Sequence, residues 1–174
     1  MTGSLTLDYT PAVADPAPSV RSAAMRVRPL SANDLDAAAD LFLQRFRKSR
    51  RNARARAEVA SRLQALYLDY PTRQGDPDAL VAIDSAGDLA AFCGAMRVPF
   101  RFDGEAATAC VTGTLMASSA PGHALAAVQI LRESRRLPYD LIVTDTANRA
   151  SLAVCQAVNY SVVSPDSLEW AAVF

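Results

Sequence analysis

The spacing of apolar residues changes character twice along this chain, and the order of the changes constrains the fold more than any other feature. Leu35, Ala39, Phe42 and Phe46 recur at helical spacing. Ser31 stands as a cap before them, and Asp34 completes a capping box. Val59, Leu63, Leu66, Tyr67 and Tyr70 predict a second helix, which Pro71 stops. Ahead of both, Met25 to Arg28 reads as a short strand ended by Pro29. The pattern then turns extended. Leu80 to Ile83, Leu89 to Phe102 and Glu105 to Ala117 read as three strands, the second interrupted near Pro99. Ser85-Ala86-Gly87-Asp88 and Asp103-Gly104 supply the hairpin turns. Beyond them helix and strand alternate: a helix over Gly122 to Arg135, a strand over Leu141 to Thr144, and a helix over Arg149 to Val158 capped by Asn148. Residues 161–163 and 168–174 are expected to add final strands.

The order β-α-α-β-β-β-α-β-α-β defines an α/β fold, a mixed sheet whose antiparallel meander is followed by a βαβ half. With 174 residues, 51% of them hydrophobic, the chain can bury the core of one domain. That domain is expected over residues 25–174. Residues 1–24, with Pro11, Pro16 and Pro18 among small residues, are expected to form a flexible tail.

Charge excludes several function classes. Eighteen basic residues balance eighteen acidic ones, so no global field announces a nucleic acid or a membrane surface. The run Arg45 to Arg56 has no acidic residue, but only Phe46 could stack on a base, and it reads as a solvated surface. Cys93, Cys110 and Cys155 sit in apolar stretches without a close pair, which suits reduced, buried thiols rather than a disulfide framework or a metal site. No apolar run approaches the ~20 residues that span a bilayer, and the N-terminus lacks a secretory pattern. The expectation is a cytoplasmic protein.

Two stretches carry a resemblance. Ser119-Ala120-Pro121-Gly122-His123-Ala124 lies between the third meander strand and the next helix, where small residues leave backbone N–H groups open to an anion. Asn148-Arg149-Ala150-Ser151-Leu152-Ala153-Val154-Cys155-Gln156-Ala157-Val158-Asn159-Tyr160 runs from a strand end through a helix. At these places in this element order, they resemble the pyrophosphate loop and the following helix of the GNAT N-acyltransferase superfamily. The resemblance covers roughly residues 25–163. Thr114-Leu115-Met116, Asp145-Thr146-Ala147-Asn148 and Ser167-Leu168-Glu169-Trp170 are similar to a bacterial branch of that superfamily with poorly defined substrates.

The resemblance implies an enzyme that transfers an acetyl or other acyl group from acyl-CoA to an amine of a small molecule or peptide. Backbone groups of Leu115, Met116 and Ala117 would pair with the pantetheine arm. Ser119, Gly122, His123 and Ala124 would hold the pyrophosphate, and Asn148 would contact the cofactor from the opposite strand. No metal is implied. The chain departs from the family's pattern at three places: Ser119 replaces Gln or Arg, Thr108 to Thr114 carries no glutamate to act as base, and Cys155 replaces the tyrosine that protonates the leaving thiolate. Cys155 is thus a weak catalytic candidate, since its place on the apolar stripe with Leu152 and Val158 equally makes it core. His123 is either a phosphate donor or a solvated residue in a first helical turn, and Asp145 either a remote base or a cap. These departures keep open a second reading, a GNAT-like CoA-binding or interaction module without catalysis, and a third in which a sheet edge forms a homodimer.

Overall fold

A computed structural model gives the fold and describes residues 25–47, 52–123, 125–144 and 148–161, with the backbone alone at Phe102. The elements are β1 (Arg26–Pro29), α1 (Leu35–Phe46), α2 (Ala53–Tyr67), β2 (Leu80–Ile83), β3 (Leu89–Phe102), β4 (Glu105–Ala117), α3 (Ala126–Ser134), β5 (Leu141–Thr144) and α4 (Arg149–Ala157). The tail expected over residues 1–24 lies outside the described residues. So do the final strands, apart from Ser161, which is not in a strand.

Local chemistry explains most boundaries. At the start of α1 the Asp34 carboxylate accepts from the Ser31 amide at 2.8 Å and from its hydroxyl at 2.6 Å. Arg28 donates to both carboxylate oxygens at 2.7 Å. Burial pushes the Asp34 pKa up, but these bonds outweigh it and hold the carboxyl below its ordinary value. Asn52 caps α2 by accepting from the Ala55 amide at 2.9 Å. The β3–β4 hairpin turns on Asp103 and Gly104, both with positive φ, as a two-residue turn of this handedness requires. At the other end of the chain Asn159, φ 64°, closes α4 in a Schellman arrangement, with Tyr160 N–H bonded to the Cys155 carbonyl at 3.0 Å.

Three expectations are corrected. The second helix does not run on to Tyr70: the Leu68 and Asp69 amides both turn back to the Gln64 carbonyl, at 2.8 and 3.0 Å, and close α2 at Tyr67. The strand is not interrupted at Pro99: β3 runs through it. Past Cys93 its only strand partner among the described residues is β4. Its open edge is the one where the Arg97 carbonyl accepts from the Thr72 hydroxyl at 2.6 Å, and Pro99, two residues on, faces that edge, where its missing N–H breaks no ladder. The helix expected from Gly122 begins only at Ala126. Ala120-Pro121-Gly122-His123 instead forms a β-turn, His123 N–H bonding the Ala120 carbonyl at 3.1 Å with Gly122 at φ 88°. Proline at the second position and positive φ at the third define a type II turn, and a helix cannot include that φ.

The strands form one sheet in the order β1-β2-β3-β4-β5, antiparallel except for the parallel pair β4–β5. Alternation along them builds a core on each face. On one face Val81, Phe92 and Met116 pack with Leu35, Ala38 and Leu41 of α1 and Leu63 and Tyr67 of α2. On the other, Leu80, Ala82, Ala91 and Cys93 pack with Ala126, Ile130 and Leu131 of α3 and with Cys155 and Val158 at α4.

Tyr67 lies directly on Gly94: a Cβ there would sit 2.2 Å from the tyrosine Cζ. Gly94→Ala should therefore destabilise the fold by at least about 2 kcal/mol in urea unfolding, and Tyr67→Leu in that background should recover part of the loss. Asp34→Asn should cost about 1–3 kcal/mol at pH 7. Because the native carboxyl titrates low, its contribution is present above the ordinary carboxylate range and fades as pH falls through the native pKa. The gap between wild type and variant should accordingly close below about pH 4.

Candidate functional site

Among the described residues β4 reaches further than its parallel neighbour, and the site lies where it does so. The described β4–β5 ladder runs from Ala109–Leu141 to Thr112–Thr144, while β4 continues on β3 to Ala117. At the point of parting the β3–β4 register slips between Phe92 and Gly94, so that Thr114 and Leu115 together oppose Cys93. This is a β-bulge, with Thr114 at φ 51°. Its hydroxyl bonds the Tyr67 hydroxyl at 2.8 Å. Just before the bulge the buried Thr112 hydroxyl donates to the Val143 carbonyl at 3.0 Å and ties the two strands at their last pairing.

Beyond that tie opens a cleft of about 400 Å³, within the range of small-molecule sites. Thr112, Gly113, Thr114 and Leu115 line it from β4, and Thr144, Asn148, Ser151 and Cys155 from the β5–α4 side. Phe42, Phe46 and Arg47 form its third wall at the end of α1. Phe42 and Phe46 stack at 5.0 Å, and Phe46 stays half exposed. No carboxylate lines the cleft among the described residues.

The expected site residues divide. Leu115, Asn148 and Cys155 line the cleft. Met116 and Ala117 follow on β4, paired to Phe92 and Ala91 of β3 and without a β5 partner among the described residues, their side chains turned to opposite cores. Asn148 caps α4, its side-chain oxygen accepting from the Ser151 amide at 3.0 Å. Ser119 and Gly122 sit in the loop after β4; Ala124 lies outside the described residues, as does Asp145. Two loop amides expected to face an anion are engaged internally: Ala120 N–H bonds the Ser118 hydroxyl at 3.1 Å, and His123 N–H closes the type II turn.

His123 fits neither expectation. Its ring is buried, with Nε2 on the Asp84 carboxylate at 3.0 Å, and its Nδ1 has no partner among the described residues. It is neither solvated nor placed in a helical turn, and neither nitrogen is presented to an incoming phosphate.

Sequence reasoning missed Thr112, Gly113 and Phe42 as lining residues; Phe46 and Arg47 belong to the basic run that the resemblance sets beside an acceptor site. A glycine flanked by threonines inside a strand is a bulge signal. Phe46 also continued the α1 apolar stripe past the point where a core could cover it.

Cys155 is 5% exposed. Burial raises the pKa of its thiol, and pushes those of Cys93 and Cys110 up to about 12. All three are free and neutral at pH 7. A chromogenic disulfide reagent at pH 7.5 should find almost no fast-reacting thiol in the native protein and three in denaturant; a fast native thiol would place Cys155 among the reactive groups.

No family model matches the chain, and no curated protein matches it in sequence. Solved structures do match. Glucosamine-6-phosphate N-acetyltransferase from Arabidopsis thaliana is 13% identical, with TM-score 0.59, over 87% of this chain and 99% of that one. The aminoglycoside N-acetyltransferase AAC(6')-Iy, solved with CoA, is 16% identical, with TM-score 0.59, over 90% and 99%. A transcriptional regulator from Bacillus halodurans is 11% identical, with TM-score 0.64, over 87% and 99%. At such identities the likeness concerns the fold, and it agrees with the element order and the resemblance drawn from the two motifs. This chain has the GNAT fold.

Proposed function

We propose that the chain is an acyl-CoA-dependent N-acyltransferase that moves an acetyl or other acyl group to an amine of a small molecule or peptide. The observation that carries this reading is the cleft that opens between Thr112 to Leu115 on β4 and Thr144, Asn148, Ser151 and Cys155 on the β5–α4 side, past the last described β4–β5 pair. An extended thioester arm needs backbone partners along one side and space for its acyl end. The β4 edge over Leu115, Met116 and Ala117, which carries no β5 partner among the described residues, offers the first, and the cleft beside Thr112 and Thr114 offers the second.

In this reading Ser119, Gly122 and Ala124 hold the pyrophosphate through backbone groups, and Asn148 flanks the arm. The type II turn supports that role, since it leaves the Gly122 N–H out of its own hydrogen bond, and glycine lets a phosphate approach closely. The acceptor's amine nitrogen attacks the thioester carbonyl; the C–N bond forms, the C–S bond breaks, and the amine loses a proton. The wall of Phe42, Phe46 and Arg47 borders the space left for the acceptor. Solved neighbours are named for amine-bearing acceptors, glucosamine-6-phosphate and aminoglycosides, which agrees with an amine here. Free thiols suit the cytoplasmic setting that belongs to the same reading.

A second reading, a CoA-binding module without turnover, draws on the buried thiol in place of tyrosine and on a β4 without glutamate. Calorimetric titration with acetyl-CoA and with CoA tests what the two share: both require micromolar binding, and Gly122→Arg should abolish it while leaving the thermal midpoint within a few degrees. Incubation with acetyl-CoA and a panel of amines then separates them. CoA release that depends on the amine supports the enzyme, and binding without release supports the module. No binding up to millimolar concentration overturns both.

A further inference from the structure

The loop after β4 must be held in one shape if it is to offer backbone groups to a pyrophosphate, yet its own sequence is poor in means of fixing it. Among the described residues its internal bonds are the Ser118–Ala120 contact, the type II turn and the Ala126 N–H on the His123 carbonyl at 3.0 Å, and the Ser118 N–H ties its start to the Ala90 carbonyl at 2.8 Å. The one side-chain tie to His123 comes from a distant part of the chain. The His123 ring reaches Asp84, 39 residues away, at the start of the β2–β3 turn.

Asp84 is itself fixed. One carboxylate oxygen accepts from the Ala86 and Asp88 amides, each at 2.9 Å, while the other meets His123 Nε2 at 3.0 Å. The Asp88 amide first, then the His123 ring, hold this carboxyl below its ordinary pKa. The turn is rigidly built, with the Asp84 amide bonded to the Asp88 carbonyl at 3.0 Å and Gly87 at φ 92°. At the other partner the imidazole side chain is 8% exposed, so the contact is largely shielded from water. Its Nδ1 is buried without a partner among the described residues. Such a group carries a desolvation penalty, and a ring free to choose would turn that nitrogen outward. It stays because the Asp84 bond fixes it.

We infer that Asp84 and His123 are positioning residues for the pyrophosphate loop: the carboxylate, anchored in the β2–β3 turn, clamps the imidazole and so presets the Pro121–Gly122 turn and the entry into α3. Neither residue touches the cofactor. The pair acts by sparing the loop an ordering step on binding, and its effect is confined to the part of the ligand the loop receives. The inference rests on the acyl-CoA reading.

The test compares CoA with S-acetylpantetheine, which lacks the pyrophosphate, by calorimetry and NMR titration. Three variants serve. His123→Leu fills the buried volume and severs the link. His123→Gln keeps a side-chain N–H that can reach Asp84. Asp84→Ser can still cap the turn amides but is too short to reach the ring, and it changes a turn rather than the core. The CoA dissociation constant should rise about tenfold or more in His123→Leu and Asp84→Ser, and His123→Gln should restore it to within about threefold of wild type. S-acetylpantetheine affinity should be unchanged throughout. Unchanged CoA affinity in Asp84→Ser overturns the inference, and so does a parallel loss for both ligands. Failure of the wild type to bind CoA is a different result: it removes the acyl-CoA reading, and the inference with it.

Discussion

Tyr67 stands where the sheet, the helices and the cleft meet. Its ring covers the bare backbone of Gly94 on β3, its edge meets Phe92 at 5.5 Å, and its hydroxyl holds Thr114 at the β4 bulge. A ring in that position demands glycine beneath it. In turn it gives the left-handed backbone at Thr114 a fixed partner, so a conformation a β-branched residue avoids is held by tertiary contact. The bulge falls just past the last described β4–β5 pair, Thr112–Thr144, at the mouth of the cleft.

The same geometry explains why the cleft has walls of such different origin. Sheet alternation sends Phe92 and Met116 to α1 and α2, and Ala91 and Cys93 to α3 and α4. A gap between β4 and β5 is a gap through the sheet, so both helical layers border it. Phe42, Phe46 and Arg47 come from one layer, and Leu131, Ser151 and Cys155 from the other. Two polar ties stand at the edges of this gap: Thr112 on the Val143 carbonyl, and Asn148 capping α4.

Strand and helix identities were legible because their signals were local. The three meander strands were read to their final residues, since Asp103-Gly104 and Ser85 to Asp88 fix turns by backbone preference alone. Asn159, where α4 ends, takes the positive φ that asparagine tolerates better than most residues. The α3 start was misplaced because Pro121 suits both a first helical turn and the second position of a type II turn, and the choice between them rests on Gly122. His123 was illegible for another reason. Its partner lies 39 residues away, and no periodicity links a turn aspartate to a loop histidine. The bulge at Thr114 and Leu115 was half legible: Gly113 inside a strand signals one, but its place depends on register with β3 and on the ring of Tyr67.

The departures from the family pattern weigh differently once the cleft is described. A glutamate base matters most when the attacking amine arrives protonated in a wet, polar site. Here the described walls are aromatic rings, threonine hydroxyls, a neutral thiol and one guanidinium at the mouth. Desolvation in such surroundings lowers an amine's pKa by disfavouring its charged form, and Arg47 acts in the same direction. Under the acyl-transfer reading, an amine that enters this cleft sheds its proton more readily than in water, so less is asked of a base. The leaving thiolate is the harder problem, because Cys155 holds its proton tightly and is almost wholly covered. Under that reading the absence of a tyrosine weighs more heavily against turnover than the absence of a glutamate, and expulsion of CoA is the step on which the enzyme and the silent module part.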